Sequence, residues 1–325
     1  QVALMNPYAY CGSMSSSDSA RKERQISPAG YIWVSRFALI LLCVIVVSGA
    51  AVRLTGSGLG CSDWPRCNSE KFIDVSTTHG AIEQINRLFT GLVTVIVIAA
   101  VLAARFRIPY RKDLVMLSWG LVAGVIGQIV LGGIVVLTDL HPVANQGHFV
   151  LSMVLVANAL TLHLRAKSDV EVRRSSRLSV LQKMIRLTVV MGSVALFTGT
   201  IVTGSGPHAG DEKARRFDLA ITTVARIHGI SVLIAIALLL IVAWKMKQQR
   251  VQQLFGPLEM VLVLAILQAT VGYVQYFNDI PALLVGIHIF GATMFFLSLV
   301  NLWMASNQIA DANPEMTERN SAIVS

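Results

Sequence analysis

Eight apolar runs, each close to the length needed to cross a bilayer, constrain this chain more than any other feature. They lie near 33–54, 80–104, 114–138, 146–164, 181–203, 219–244, 257–277 and 282–305. About 20 apolar residues cross the hydrocarbon core as a helix. A backbone inside lipid must satisfy its own hydrogen bonds, which leaves the helix as the economical spanning form. The expected fold is therefore an all-α polytopic membrane protein with eight transmembrane helices. Composition agrees, at 54% hydrophobic and 14% charged residues, where a soluble domain carries about 25% charged. The first run reads as a span rather than a cleaved leader, because a polar segment precedes it and seven further spans follow.

The formal net charge of +9 is distributed, not patched, which argues against nucleic acid as a partner. Arg105, Arg107, Arg111 and Lys112 follow the second run. Arg165, Lys167, Arg173, Arg174, Arg177 and Lys183 follow the fourth, and Lys245, Lys247 and Arg250 the sixth. The alternate loops hold Asp63, Glu70 and Asp74; Asp139; Asp211, Glu212 and Asp218; and Asp279. Only the loop after the fifth run balances its acids, with Lys213, Arg215 and Arg216. The positive-inside rule then predicts both termini in the cytoplasm. Residues 1–30 (Ser-rich, with Arg21, Lys22 and Arg24) and 306–325 read as cytoplasmic tails.

The chain also repeats itself. Thr55-Gly56-Ser57-Gly58 returns as Thr203-Gly204-Ser205-Gly206. Gln128, Gly132 and His148 return at the same spacing as Gln268, Gly272 and His288. Ile85-Asn86-Arg87 has its counterpart in Ile227-His228-Gly229. The shared order predicts a tandem duplication of two four-helix bundles, 31–170 and 171–305, related by pseudo-twofold symmetry along the membrane normal.

The chemistry sits on the even-numbered helices. Thr78 to Arg87 opens an apolar run, yet His79, Glu83 and Asn86 share one helical face. Ionisable groups in such places are expensive and usually functional. His228 and His288, at matching depths on paired helices, suit axial ligation of a heme iron within a bundle; hydrogen-bonded core histidines are the alternative. In the first half, His148 matches His288, but Asn86, a poor iron ligand, stands opposite His228. His79 lies about 10 Å higher on the same helix, at 1.5 Å per residue, so it reaches iron only through a local distortion. Glu83 offers a carboxylate for proton exchange or a plain i,i+4 ion pair with Arg87. Arg53, Arg87 and Arg226 suit heme propionates or snorkel to the interface. His141 and His208 read as solvated loop residues, and His163 as interfacial. Gly132-Gly133 and Gly272 allow close helix packing or a flat cofactor against the backbone.

Of the four cysteines, Cys61 and Cys67 share the first outer loop, which faces an oxidising compartment. A disulfide is the expectation there; free thiols or a metal pair are the alternatives, and the remaining ligands of a zinc site are missing.

Residues 31–305 resemble the heme A synthase family. The resemblance rests on Arg53-Leu54-Thr55-Gly56-Ser57-Gly58-Leu59-Gly60-Cys61 with Asp63-Trp64-Pro65, on Glu83 followed by Arg87, on Gln128 to Gly133, on Thr203 to His208, and on the histidine-bearing even helices. It implies a multi-pass enzyme of the bacterial plasma membrane that oxidises the C8 methyl of heme O to a formyl group by two successive hydroxylations. It implies a bis-histidine heme b on His228 and His288 as the electron-transfer cofactor, and a substrate heme facing His148 beside Glu83. Cys61 and Cys67 match a disulfide of many bacterial members. The lipid bilayer, a heme O synthase, cytochrome oxidase assembly factors and an unnamed electron donor are the implied partners. The family usually carries a histidine where this chain has Asn86, and His79 is the available substitute.

Two other classes compete. A diheme b-type electron carrier, quinol- or cytochrome b561-like, predicts two symmetric bis-histidine sites, against which Asn86 speaks. A transporter predicts broken helices and midplane substrate groups, whereas these histidines cluster toward one face. A prenyltransferase making heme O needs aspartate-rich loops that the sequence lacks.

Overall fold

A computed structural model describes residues 25–168 and 179–312. Among them are eight membrane-length helices: α1 (Pro28–Leu54), α2 (Thr78–Phe106), α3 (Lys112–Leu137), α4 (Pro142–Lys167), α5 (Val180–Ser205), α6 (Ile221–Gln249), α7 (Phe255–Phe277) and α8 (Ala282–Ala312), with a short 3-10 turn, Gln252–Leu254, before α7. No strand occurs among the described residues, only an isolated bridge between Ile26 and Arg107. The protein is an all-helical, multi-pass membrane protein.

Helix ends are set by caps that the apolar windows do not register. Ser27 accepts from the Gly30 N–H with Pro28 in the first turn, Thr77 accepts from the Gly80 N–H, and Ser179 and Gln182 close a reciprocal capping box. Two boundaries differ from the sequence reading. The helix at the N-terminal end begins at Pro28, inside the segment assigned to a tail. At the other end α8 runs on through Ala312, past 305, because lengthening a formed helix adds one hydrogen bond for each residue fixed. Residues 1–24 and 313–325 of the two tails, and Arg173, Arg174 and Arg177, lie outside the described residues. After α1 the chain reverses at Gly56, whose φ of +66° favours glycine.

Each half closes on itself. In the first, α1 packs on α2 and α4, and α3 on α2 and α4. In the second, α5 packs on α6 and α8, and α7 on α6 and α8. Thus α2 faces α4, and α6 faces α8, across a diagonal. Each half has its own apolar core, one from Tyr31 to Ala166 and one from Leu181 to Leu302. The halves meet where α8 packs on α1 and α4, and α4 on α5. Polar contacts tie the outer surface across this seam. Arg53 donates from Nε to the His208 carbonyl (2.7 Å) and from Nη2 to the Thr203 carbonyl (2.9 Å). Gly58 N–H donates to the Gly210 carbonyl (2.9 Å), and Gln146 Nε2 to Thr200 Oγ1 (2.8 Å).

The opposite end, where α1 begins and α4 finishes, is polar as well. Arg111 grips Asp113 through two bonds of 2.8 Å, Tyr31 pairs with Ser118 (2.9 Å), and His163 with Ser35 (3.1 Å). His163 is therefore buried and bonded rather than interfacial. His208 also departs from the solvated reading, since its Nε2 donates to the Ile280 carbonyl (2.8 Å). His141 caps α4, with its Nδ1 accepting from the Val143 N–H.

Candidate functional site

One cavity of about 520 Å³ runs through both halves toward their outer ends, within the range of small-molecule sites. His148, His228 and His288 all line it, as do Glu83, Asn86, Arg87 and Arg53. His79 does not. It is exposed at the first turn of α2, and its Nδ1 lies 2.9 Å from Ser57 Oγ, which ties it to the outer loop. Arg226 is exposed and also off the cavity wall.

In the second half, the His228 and His288 rings stand 6.4 Å apart between centroids, at 88° to each other. A metal–imidazole bond is about 2.0 Å, so two axial nitrogens on one metal stand about 4 Å apart, with the ring centroids further out on each side. The observed separation fits an iron between the rings. His228 Nδ1 donates to the Ala195 carbonyl (3.0 Å), with Thr198 Oγ1 at 3.2 Å, which leaves Nε2 for a ligand bond. The Gln268 amide satisfies its surroundings by donating to His288 Nδ1 (2.9 Å) and to the His288 carbonyl (3.1 Å). In that orientation its oxygen accepts from the Ala292 N–H (3.0 Å). Glycines make room for the rings: a Cβ on Gly199 would stand 3.1 Å from His228, and one on Gly272 3.3 Å from His288.

The first half reproduces part of this frame. A Cβ on Gly132 would stand 3.6 Å from the His148 ring. Gln128 Nε2 donates to the His148 carbonyl (3.0 Å) and to Ser152 (2.9 Å). His148 Nδ1 and Gln128 Oε1 are buried without a partner among the described residues, as is Gln275 Oε1 on the second-half wall. Buried polar atoms are nearly always paired, so these orphans are exceptions, and all three belong to residues of the cavity wall. Across the diagonal from His148, Asn86 is held through its Oδ1 by Ser48 Oγ (2.8 Å).

Glu83 is buried at the top of the cavity and fully engaged. Its Oε2 accepts from the Cys61 N–H (2.7 Å), and its Oε1 from Arg87 Nη2 (2.6 Å) and Nε (3.0 Å). Arg87 in turn donates to the carbonyls of Arg66 (3.1 Å) and Asp63 (3.2 Å) and lies over Trp64 at 5.1 Å. The ion pair expected at i,i+4 is present, and it pins the outer loop closed by the Cys61–Cys67 disulfide. The free-thiol and metal-pair alternatives fall with that bond. No group of three or more metal-ligating His, Cys, Asp or Glu side chains occurs among the described residues. The loop is further ordered at Asp74, which accepts from Ser76 N–H and Asn68 Nδ2. The Ser76 bonds, with smaller help from Asn68 and Lys71, hold its carboxyl below the usual carboxylate range.

Trp64, quoted in the sequence only as part of a motif, reaches down to line the cavity and packs where Gly133 leaves no side chain. The adjacent glycines thus divide their work: Gly132 clears His148 and Gly133 clears Trp64. Gln275 had no sequence signal, since it belongs to no repeat match.

Residues 31–210 match the family model described as cytochrome oxidase assembly protein. The chain belongs to that family. Curated relatives named heme A synthase accompany the match. The one from Listeria welshimeri serovar 6b is 25% identical over 293 residues, covering 85% of this chain and 95% of the relative. The one from Listeria monocytogenes serotype 4a is 28% identical over 178 residues, covering 53% and 57%. The one from Bacillus pumilus is 32% identical over 139 residues, covering 40% and 45%. The family match takes in the whole first half, the disulfide loop, Glu83 and His148; the long Listeria welshimeri alignment extends over most of the chain.

Proposed function

We propose that this protein is a heme A synthase, an oxidoreductase that converts the C8 methyl of heme O to a formyl group by two hydroxylations and loss of water. The observation that carries this reading is one cavity lined by three helix histidines in an unequal arrangement. One pair faces across a diagonal at an iron-compatible separation, and one histidine faces an asparagine. The half spanning 171–305 is read as the cofactor half, with His228 and His288 holding heme b, which when bound supplies one-electron transfer. The half spanning 31–170 is read as the substrate half, with His148 on one side of the substrate ring.

The chain's own residues have definite tasks in this reading. His148 orients the ring and, being the sole imidazole on that diagonal, leaves the opposite face to Asn86. The Ser48 bond engages Asn86 Oδ1 and leaves the amide nitrogen as its remaining hydrogen-bonding group, a donor. Glu83 and Arg87 stand together at the outer end. The carboxylate is desolvated, can hold or release a proton on the cavity wall, and is positioned by Arg87 and the Cys61 N–H. Arg53 and Arg87 bring positive charge to the end where ring propionates are best accommodated. Trp64 and the disulfide loop cover that end and exclude water. His79 remains with Ser57 on the outer loop as a positioning residue. Both termini are read as cytoplasmic from the loop charges, which sets this site toward the outer face.

The test is to purify the protein and identify its hemes by pyridine hemochrome spectra and chromatography. Heme b with heme O or heme A is the expected result. Two equivalents of heme b alone would convert the reading to a diheme electron carrier, and absence of heme would sink both.

A further inference from the structure

The cavity has an open flank, and it lies in the first half only. Of the described residues that line it, Gly91 on α2 and Ile129 on α3 are the exposed ones. Both belong to neighbouring helices that pack on each other. Gly91 sits on the outward stripe of α2, in line with Leu88, Val95, Ile98 and Leu102, all exposed. A Cβ at Gly91 would meet nothing within 4 Å. A glycine in mid-helix lowers helix stability, so its presence on a lipid-facing stripe calls for a reason other than helix formation.

The second half supplies the contrast. Setting Asn86 against His228 sets Ile85 against Ile227, Leu88 against Ile230 and Gly91 against Leu233. The first two pairs are apolar and exposed in both halves, and Leu233 is exposed as well. Leu233 does not line the cavity, and no lining residue of the second half is exposed. The same position is therefore a full side chain beside the histidine pair and a gap beside His148.

The gap is apolar and deep. Gly91 lies about 20 Å along α2 from its outer end at 1.5 Å per residue, near the middle of the helix. The nearby hydroxyls are engaged by their own helix: Thr90 Oγ1 donates to the Asn86 carbonyl (3.1 Å) and Thr94 Oγ1 to the Thr90 carbonyl (2.9 Å). Charged groups are disfavoured at such depth, and the cavity's charged lining residues, Arg53, Glu83 and Arg87, are all at the other end. A ring propionate belongs at the charged end; a hydrocarbon chain belongs at the notch.

We propose that the notch at Gly91 and Ile129, between α2 and α3, admits the isoprenoid chain of the substrate heme while its ring lies against His148. The chain stays in lipid, and the ring enters and leaves sideways without crossing the loop that covers the outer end. This rests on the heme O reading above, because heme O carries an isoprenoid chain that heme b lacks. At the corresponding place in the other half Leu233 is exposed and does not line the cavity, and a resident cofactor without such a chain needs no side opening there.

The test uses the full chain with its resident heme, in lipid nanodiscs, titrated with heme O and separately with protoheme while absorption is followed. Gly91→Leu copies the other half and is expected to weaken heme O binding about 10–200-fold, the scale of one misfitted methylene, while protoheme binding is unchanged. Equal binding of heme O by wild type and Gly91→Leu overturns the proposal, as does an equal loss for both hemes. Should Gly91→Leu fail to fold, Gly91→Cys is purified and capped afterwards, with cap-treated wild type as the control for its own thiols. A long alkyl thiosulfonate is expected to reproduce the selective loss and a methyl one to spare it; equal effects of the two caps overturn the notch. A wild type that takes up neither heme removes the heme O reading and the notch with it. A wild type that binds heme O with Gly91→Leu unaffected removes the notch alone.

Discussion

The two halves of this molecule use one frame for different ends. Both set a glutamine a fixed distance before a histidine, with a glycine beneath the ring: Gln128, Gly132 and His148 in one, Gln268, Gly272 and His288 in the other. Across the diagonal they part. The second half presents His228, locked by the Ala195 carbonyl; the first presents Asn86, locked by Ser48. Above Asn86 the first half adds a buried carboxylate bonded to a disulfide loop, and beside it a glycine replaces a leucine. On the proposed reading, a handful of differences between two similar halves separates a fixed site from an exchangeable one. Both halves keep the same order of helix neighbours despite these differences.

The comparison breaks most decisively at its symmetric half. His228→Ala is expected to abolish the low-spin, six-coordinate heme b signal in absorption and electron paramagnetic resonance spectra, and His288→Ala to do the same. A variant that keeps an unchanged low-spin heme b would remove the bis-histidine assignment.

Next in size is the acid. Glu83→Gln retains an acceptor for the Cys61 N–H but removes the charge that Arg87 pairs with. It is expected to keep heme b at wild-type stoichiometry and to lose heme A formation, read by chromatography of extracted hemes. Breaking a buried pair from one side costs about 3–5 kcal/mol, so a thermal melt of the same sample separates lost chemistry from lost fold. Normal heme A from a folded Glu83→Gln protein would end its catalytic role.

Asn86→His sharpens the comparison by restoring the missing imidazole. Bound heme O should pass from a ligand-accessible state to a low-spin one that no longer takes up carbon monoxide when reduced, while the heme b spectrum stays the same. If wild-type heme O is already low-spin and closed to carbon monoxide, another residue completes its coordination and the open-face reading fails. The smallest effect is at the loop. Cys67→Ser removes a cross-link, an effect of about 2–4 kcal/mol in typical cases, and is expected to lower the melting temperature by a few degrees, with heme b retained. Loss of heme b instead would show that the loop supports both halves.

Much of this was legible in the residues. Eight spans follow from apolar length alone, because hydrocarbon admits little else. The histidine positions, the Glu83–Arg87 pair and the Cys61–Cys67 bond could be expected because each depends on local spacing. Contacts between distant segments could not. Arg53 was a candidate for propionates, yet its guanidinium bonds two carbonyls of the other half's loop. His208 was placed in solvent, yet it bonds Ile280. His79 shares a helical face with Glu83, but Ser57 holds it outside the cavity.

The sequence by itself determined the membrane class, the number of spans and which side chains are too polar for lipid, since transfer cost and helical period are properties of short segments. Only the tertiary structure decided that His148 and the His228–His288 pair share one cavity, that Trp64 lines it and that Gly91, on its wall, is exposed. Those outcomes depend on which helices meet and at what depth, and helix packing is fixed by the sum of many weak contacts that no single stretch of sequence contains.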